Sequence, residues 1–136
     1  MSVTFEDNST VVVTKIKSSI KGFLNEAGGE LKSQTQRNSR VDTGQTKGSY
    51  EYNVQEETGK STVHVGSDLE NAIYEEYGTG EYAVNGDGRK GGWVYCDAKG
   101  NFYHTYGKTP NEPMKNAFNS NKSKIKNQLQ KVLKSM

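Results

Sequence analysis

One cysteine, two histidines, two prolines and one tryptophan are thinly spread over 136 residues. Cys96 has no partner for an internal disulfide, which fits a reducing compartment. A zinc site needs three or four donors, and only Cys96 lies near the histidines, so no metal is expected. No run reaches the ~18 apolar residues of a membrane span. Residues 1–8 are polar and acidic rather than basic and then apolar, so no export signal is expected. Hydrophobic residues make up only 31% of the chain. A monomer of that composition has a thin core, so contacts between copies, or ordering on binding, are expected to supply part of the stability. The length suits one domain over residues 1–136.

Charge is present, but unevenly. Residues 41–87 hold two Lys/Arg against ten Asp/Glu, and residues 88–136 hold ten against two, although the whole chain is only +2. Separation of this kind builds an acidic and a basic face on one subunit. Copies can then associate head to tail and close into a ring.

Val13, Ile16, Ile20, Phe23, Leu24, Ala27 and Leu31 recur at three- and four-residue steps, predicting an amphipathic helix over residues 9–36. Asp7 or Asn8 is placed to cap it, and Gly28-Gly29 is a place to bend or end. "SYEYNVQ" and "STVHVGS" alternate apolar and polar residues around Thr58-Gly59, predicting a hairpin. Ser67 and Glu70 then spell a capping box for a short helix with Leu69, Ala72, Ile73 and Tyr77 inward and Gly78 at its end. "GWVYC" and "NFYHT" flank a turn at Asp97-Ala98-Lys99-Gly100. Pro110 and Pro113 announce a last helix, with Met114, Ala117, Phe118, Ile125, Leu129, Val132 and Leu133 as its apolar side. The fold class is therefore α+β: a long N-terminal helix, two antiparallel hairpins with a short helix between them, and a C-terminal helix.

Residues 77–93, "YGTGEYAVNGDGRKGGW", hold six glycines. Gly86, Gly88 and Gly91 spell G-x-G-x-x-G, yet they follow a helix and precede a strand, the reverse of a dinucleotide site. No cofactor is expected. Hairpin loops take about 2–5 residues, so this longer stretch reads as a mobile arm over residues 78–92, with Trp93 anchoring its far end in the core. Val41-Asp42-Thr43-Gly44 has the letters of an aspartic protease but not the flanking hydrophobic strands, and reads as a turn. His64 and His104 fall on solvent faces of strands. No nucleophile, base and orienting group come together, so no catalytic residues and no enzyme are expected.

Glu75 and Glu76 stand at a helix C-terminus, where negative charge is disfavoured, so a cation elsewhere is expected to answer them. The last helix carries six lysines and no acid from Lys115 onward. Its Lys122, Lys126 and Lys131 are expected to meet Glu75, Glu76 and Glu81 of an adjacent copy, with Arg89 and Lys90 of the arm as further contacts. A nucleic-acid reader needs arginine and aromatics converging on bases, which this helix lacks, leaving only non-specific phosphate contact.

"RVDTG" after the long helix, "NAIYEEYGTG", "GGWVY…GNFYHTYG" and "TPNEPMKNAF", in that order over residues 10–135, resemble the gene-product-ten-like neck or tail-completion family of HK97-type phages and prophages. The matching positions are Val41, Asp42, Thr43, Gly44, Ala72, Tyr74, Glu76, Gly78, Thr79, Gly80, Trp93, Gly107, Pro110, Pro113 and Ala117. The chain departs from the family where Gln45-Thr46-Lys47-Gly48 replaces an Arg-Leu-hydrophobic run, and where Met114 stands for Phe. The resemblance implies a structural virion protein, made in the host cytoplasm, that forms a hexameric ring joining the DNA-filled head to the tail. Its partners would be itself and adjoining neck, head-closure, tail-terminator or tail-tube proteins, with DNA passing through the lumen. A tail terminator capping the tube, and a nucleic-acid-binding module, are the alternatives.

Overall fold

The apolar spacing of the first third becomes one helix, α1 (Ser9–Asn38). In the computed structural model, residues 2–4, 6–40 and 44–135 are described. Val41, Asp42 and Thr43, with the turn expected of them, lie outside the described residues. At the start of α1, the Ser9 N–H donates to Asp7 Oδ1 (2.9 Å), as an acidic entry residue should.

Gly28-Gly29 does not end α1, because the first hairpin crosses it there. β1 (Glu51–Glu57) and β2 (Lys60–Gly66) pair antiparallel with Tyr52 opposite Val65 and Val54 opposite Val63. These four residues are half-buried on one face. A Cβ on Gly28 would stand 2.6 Å from Tyr52 Cδ2 and 2.7 Å from Val63 Cγ2. The glycine is there to let the sheet approach, not to break the helix. Between α1 and β1 sits a single turn, α2 (Gln45–Gly48), where the sequence suggested only a loop.

α3 (Glu70–Tyr77) ends at Gly78, whose N–H donates to Tyr74 O (2.8 Å). The expected capping box does not form. Ser67 Oγ instead accepts from the Leu69 N–H (3.1 Å) and shares a hydrogen bond with Ser49 Oγ. The expected inward face is also wrong in part. Ile73 is 58% and Tyr77 50% exposed, while Ala72, Glu75 and Glu76 are buried.

β3 (Trp93–Cys96) and β4 (Phe102–Thr105) form the second hairpin around the expected turn, with Gly100 N–H donating to Asp97 O (3.1 Å). The two hairpins remain separate two-stranded sheets. α4 (Pro113–Lys134) runs back along α1, since Asn38 Nδ2 at the end of α1 donates to Pro113 O at the start of α4 (3.2 Å). Its inner stripe is Met114, Ala117, Asn121, Ile125, Leu129 and Val132; Phe118 and Leu133, expected inward, are about half exposed. The core is as thin as the composition implied. Phe23, Ala27, Tyr50, Ala72 and Ala117 are the buried hydrophobic side chains among the described residues.

The contrast between the paired glycines is testable by denaturant melts. Gly28→Ala must displace Tyr52 and Val63 and should cost about 1–2 kcal/mol net of its helix-propensity gain. Gly29 has nothing nearer than 3.9 Å to an added Cβ, so Gly29→Ala should stabilise by up to about 1 kcal/mol.

Candidate assembly surfaces

Two adjacent carboxylates organise the centre. Glu75 is 2% exposed and Glu76 5%. Glu75 Oε1 accepts from Arg40 Nε (3.0 Å), from the Arg40 N–H (3.3 Å) and from Asn111 Nδ2 (2.8 Å), while Lys108 Nζ pairs with Oε2. Arg40 reaches on to Thr109 O (2.6 Å), and Asn111 Nδ2 also donates to Asn38 O (2.8 Å). The end of α1, α3 and the segment before α4 are thus tied at one point. Burial alone would raise the Glu75 carboxyl, but Lys108 and Arg40 outweigh it and hold it below the ordinary carboxylate value.

Glu76 does a different job. Its oxygens accept from the Met114 N–H (3.2 Å) and the Lys115 N–H (2.8 Å). The first turn of α4 lacks a local cap, because Glu112 sits at the N-cap position and makes no side-chain capping bond. Pro113 has no N–H to satisfy, so Glu76 supplies the two acceptors the helix start needs and places negative charge at the favourable dipole end. The expectation that a neighbouring copy answers Glu75 and Glu76 is therefore corrected. Their partners are in the same chain, and both are buried.

Burial of this pair bears on Tyr50 as well. Its ring is fully buried and Oη has no hydrogen-bond partner of good geometry among the described residues. Ser39 stands beside it but donates its own proton to Thr35 O (2.8 Å). Burial, reinforced by Glu76 and Glu75, raises the phenol pKa against the opposing effect of Ser39.

The glycine-rich stretch is pinned rather than hanging free at its ends. Glu81 N–H donates to Tyr106 O (2.9 Å), Thr79 N–H to Lys108 O (2.9 Å) and Val84 N–H to Tyr77 O (2.9 Å). Added Cβ atoms on Gly80, Gly88 and Gly107 would stand 2.1 Å from Tyr106 O, Gly80 O and Thr79 O respectively. Three backbone segments meet there with no room for side chains. Trp93 is half-buried rather than in the core: its ring lies against Gly80 and under the Arg89 guanidinium (5.6 Å to the centroid). Gly80, Gly88 and Gly107 thus answer a packing need, whereas Gly86 and Gly91 take positive φ (70° and 86°) with open space around them.

Beyond this seam the β3–β4 hairpin stands off the body. Val94 is 62% and Phe102 75% exposed, and Tyr95 and Tyr103, 46% and 45% exposed, have ring centroids 5.5 Å apart. The family described as "Bacteriophage HK97-gp10, putative tail-component" matches residues 4–78. The chain belongs to this HK97 gp10-like family of phage tail components. No curated protein and no solved structure matches it. The matched span covers α1 through α3 and stops at Gly78, so the segments around Trp93 and Pro110 that also carried the resemblance lie outside it.

For a tail component the exposed charges are the natural contact groups. Lys122, Lys126 and Lys131 are exposed on α4 and have no ion pair among the described residues, as are Arg89 and Lys90 in the loop. Helical spacing sets Lys115, Lys122 and Lys126 along one flank of the buried stripe and Lys124, Lys131 and Lys134 along the other. Glu81 is exposed and accepts from the Gly91 N–H (3.3 Å). Gly44 leads α2, Tyr74 Oη donates to Glu70 (2.7 Å), Thr79 Oγ1 accepts from the Lys108 N–H (2.8 Å), and Pro110 abuts Gly78. His64 and His104 are exposed, as expected. Among the described residues no metal-binding cluster gathers and no helix is long and apolar enough to cross a membrane.

Arg40, Lys108 and Asn111 were not singled out from the sequence. The available signal was the adjacent acid pair at an unfavourable helix end, together with a proline-led helix lacking its own cap. Those two defects satisfy each other.

Two outcomes follow for the gp10-like fold. The Glu75 carboxyl is held below the ordinary carboxylate value in the folded chain, so its contribution is present above the unfolded-state value and is lost as pH falls through the lowered one. Glu75→Gln should cost about 1–3 kcal/mol at neutral pH, and the gap to wild type should close in acid, read from urea melts across pH. At the seam, Gly88→Ala must displace Gly80 backbone. It should loosen the β3–β4 hairpin, raising proteolytic cleavage between residues 80 and 92 and shifting Trp93 fluorescence.

Proposed function

We propose that this tail component is a non-enzymatic ring subunit that joins the DNA-filled head to the tail. The observation that carries the reading is the β3–β4 hairpin. An isolated two-stranded hairpin is marginal in water, and this one exposes Val94 and Phe102 on one face and Tyr95 and Tyr103 on the other. An apolar surface of this kind marks a site that another protein covers. The start of α1 adds a second such surface: Val11 is 67%, Val12 52% and Val13 48% exposed.

Two unlike surfaces on one chain suit heterologous, head-to-tail contact, which closes into a ring when the rotation permits. We propose a hexamer stacked on adjoining neck or tail rings. With Glu75 and Glu76 engaged internally, the acids left to offer a neighbour are Glu56 and Glu57 at the turn end of the first hairpin and Asp68 and Glu70 beyond its other end, all exposed. The lysine rows of α4 form the basic side. DNA would pass through the lumen without being read, since the lysines carry no base-stacking aromatics between them. Quantitative mass spectrometry of intact particles should find several copies per virion, in fixed ratio to the adjoining neck and tail proteins. One copy per particle overturns the ring.

A further inference from the structure

Both hairpins keep an unpaired edge. The edge of β1 away from β2, and the edge of β3 away from β4, make no backbone hydrogen bond to any other segment among the described residues. The chain just past β4 is different, being bonded at Tyr106 O and Lys108 O by Glu81 and Thr79. β3 is the more open edge. Its sequence Trp-Val-Tyr-Cys has none of the charges, prolines or bulges that usually guard an edge strand.

We propose that β3 of one copy adds antiparallel to β1 of a second copy, making a four-stranded sheet across the subunit interface. The inference rests on the ring reading above and names its joint. Charge selects the pair and its direction. Antiparallel addition sets Arg89-Lys90, just before β3, beside Glu56-Glu57 at the end of β1. It sets Lys99, just after β3, near Glu51, which Lys32 of its own chain already holds at 3.2 Å. Addition to β2 instead would bring Lys99 beside Lys60. The parallel arrangement would place two cations against the one carboxylate that is already paired.

Side-chain alternation then selects a register. A one-residue slip moves every side chain to the other face. With Val94 opposite Val54, Val94 and Cys96 extend the half-buried face that β1 turns to α1. Trp93 and Tyr95 fall beside the polar, exposed Gln55 and Asn53. Strand addition supplies affinity through main-chain hydrogen bonds, and the flanking charges supply selectivity.

Cysteine trapping in assembled particles tests the pairing. Asn53→Cys with Tyr95→Cys, in a Cys96→Ser background, should yield covalent multimers on oxidation, and neither single cysteine should. In parallel, Lys90→Glu should abolish particle assembly, and adding Glu57→Lys to the same chain should restore it. Multimers together with rescue support the joint. Several copies per particle with neither cross-link nor rescue overturn the strand pairing and leave the ring intact. A single copy per particle overturns the ring reading, and the joint with it.

Discussion

Glu75 is the point on which the rest of the structure hangs. A buried carboxylate is costly unless it is paired and its lone pairs are satisfied. Here Arg40, just past α1, and Lys108 and Asn111, from the segment before α4, surround it. With so few apolar side chains buried, this polar knot does positional work that hydrophobic packing does in richer cores. It fixes the exit of α1 relative to α3 and sets where the segment before α4 must run. Glu76, one residue on, converts that placement into a helix start by capping α4. Two consecutive residues thereby fix where α4 begins relative to the end of α1.

The glycine seam imposes a second constraint of the opposite kind. Glycine costs chain entropy on folding, yet at Gly80, Gly88 and Gly107 the absence of a side chain is what allows three backbones to touch. That contact roots the β3–β4 hairpin, whose own faces stay uncovered. The hairpin is thus held firmly at its base and left unsatisfied along its length. Such an arrangement suits an element whose partner arrives later.

The elements themselves were legible in the sequence because each carries its own local signal. The periodicity of α1, the alternation of the four strands, Gly78 as a stop and Pro113 as a start all read correctly. What was not legible depended on partners far away along the chain. The inward face of α3 was misread because an apolar residue is normally the better candidate for burial than a glutamate. Ile73 lost that position to Glu75 only because Arg40, 35 residues earlier, and Lys108 converge there. Gly28 misled for the same reason: its cost to the helix is local, while its benefit lies in Tyr52 and Val63. Of the expected contact residues, Glu75 and Glu76 proved internal; Arg89, Lys90, Lys122, Lys126 and Lys131 are exposed.

Internal use of that acid pair changes how the charge asymmetry works. Had Glu75 and Glu76 been exposed, association between copies would have competed with the fold for the same cations. Instead Arg40 and Lys108 serve the monomer, and the α4 lysines remain outside that network. Each exposed pair formed with a neighbour is worth only about 0–1 kcal/mol and is weakened by salt. Repeated at every junction of the ring proposed above, however, such pairs would act together, while their loss at any one junction would leave the subunit folded. The chain thereby separates the charges that hold it in shape from those it offers to its neighbours. On the proposed ring reading, a subunit that persists alone before assembly and binds firmly during it requires that separation.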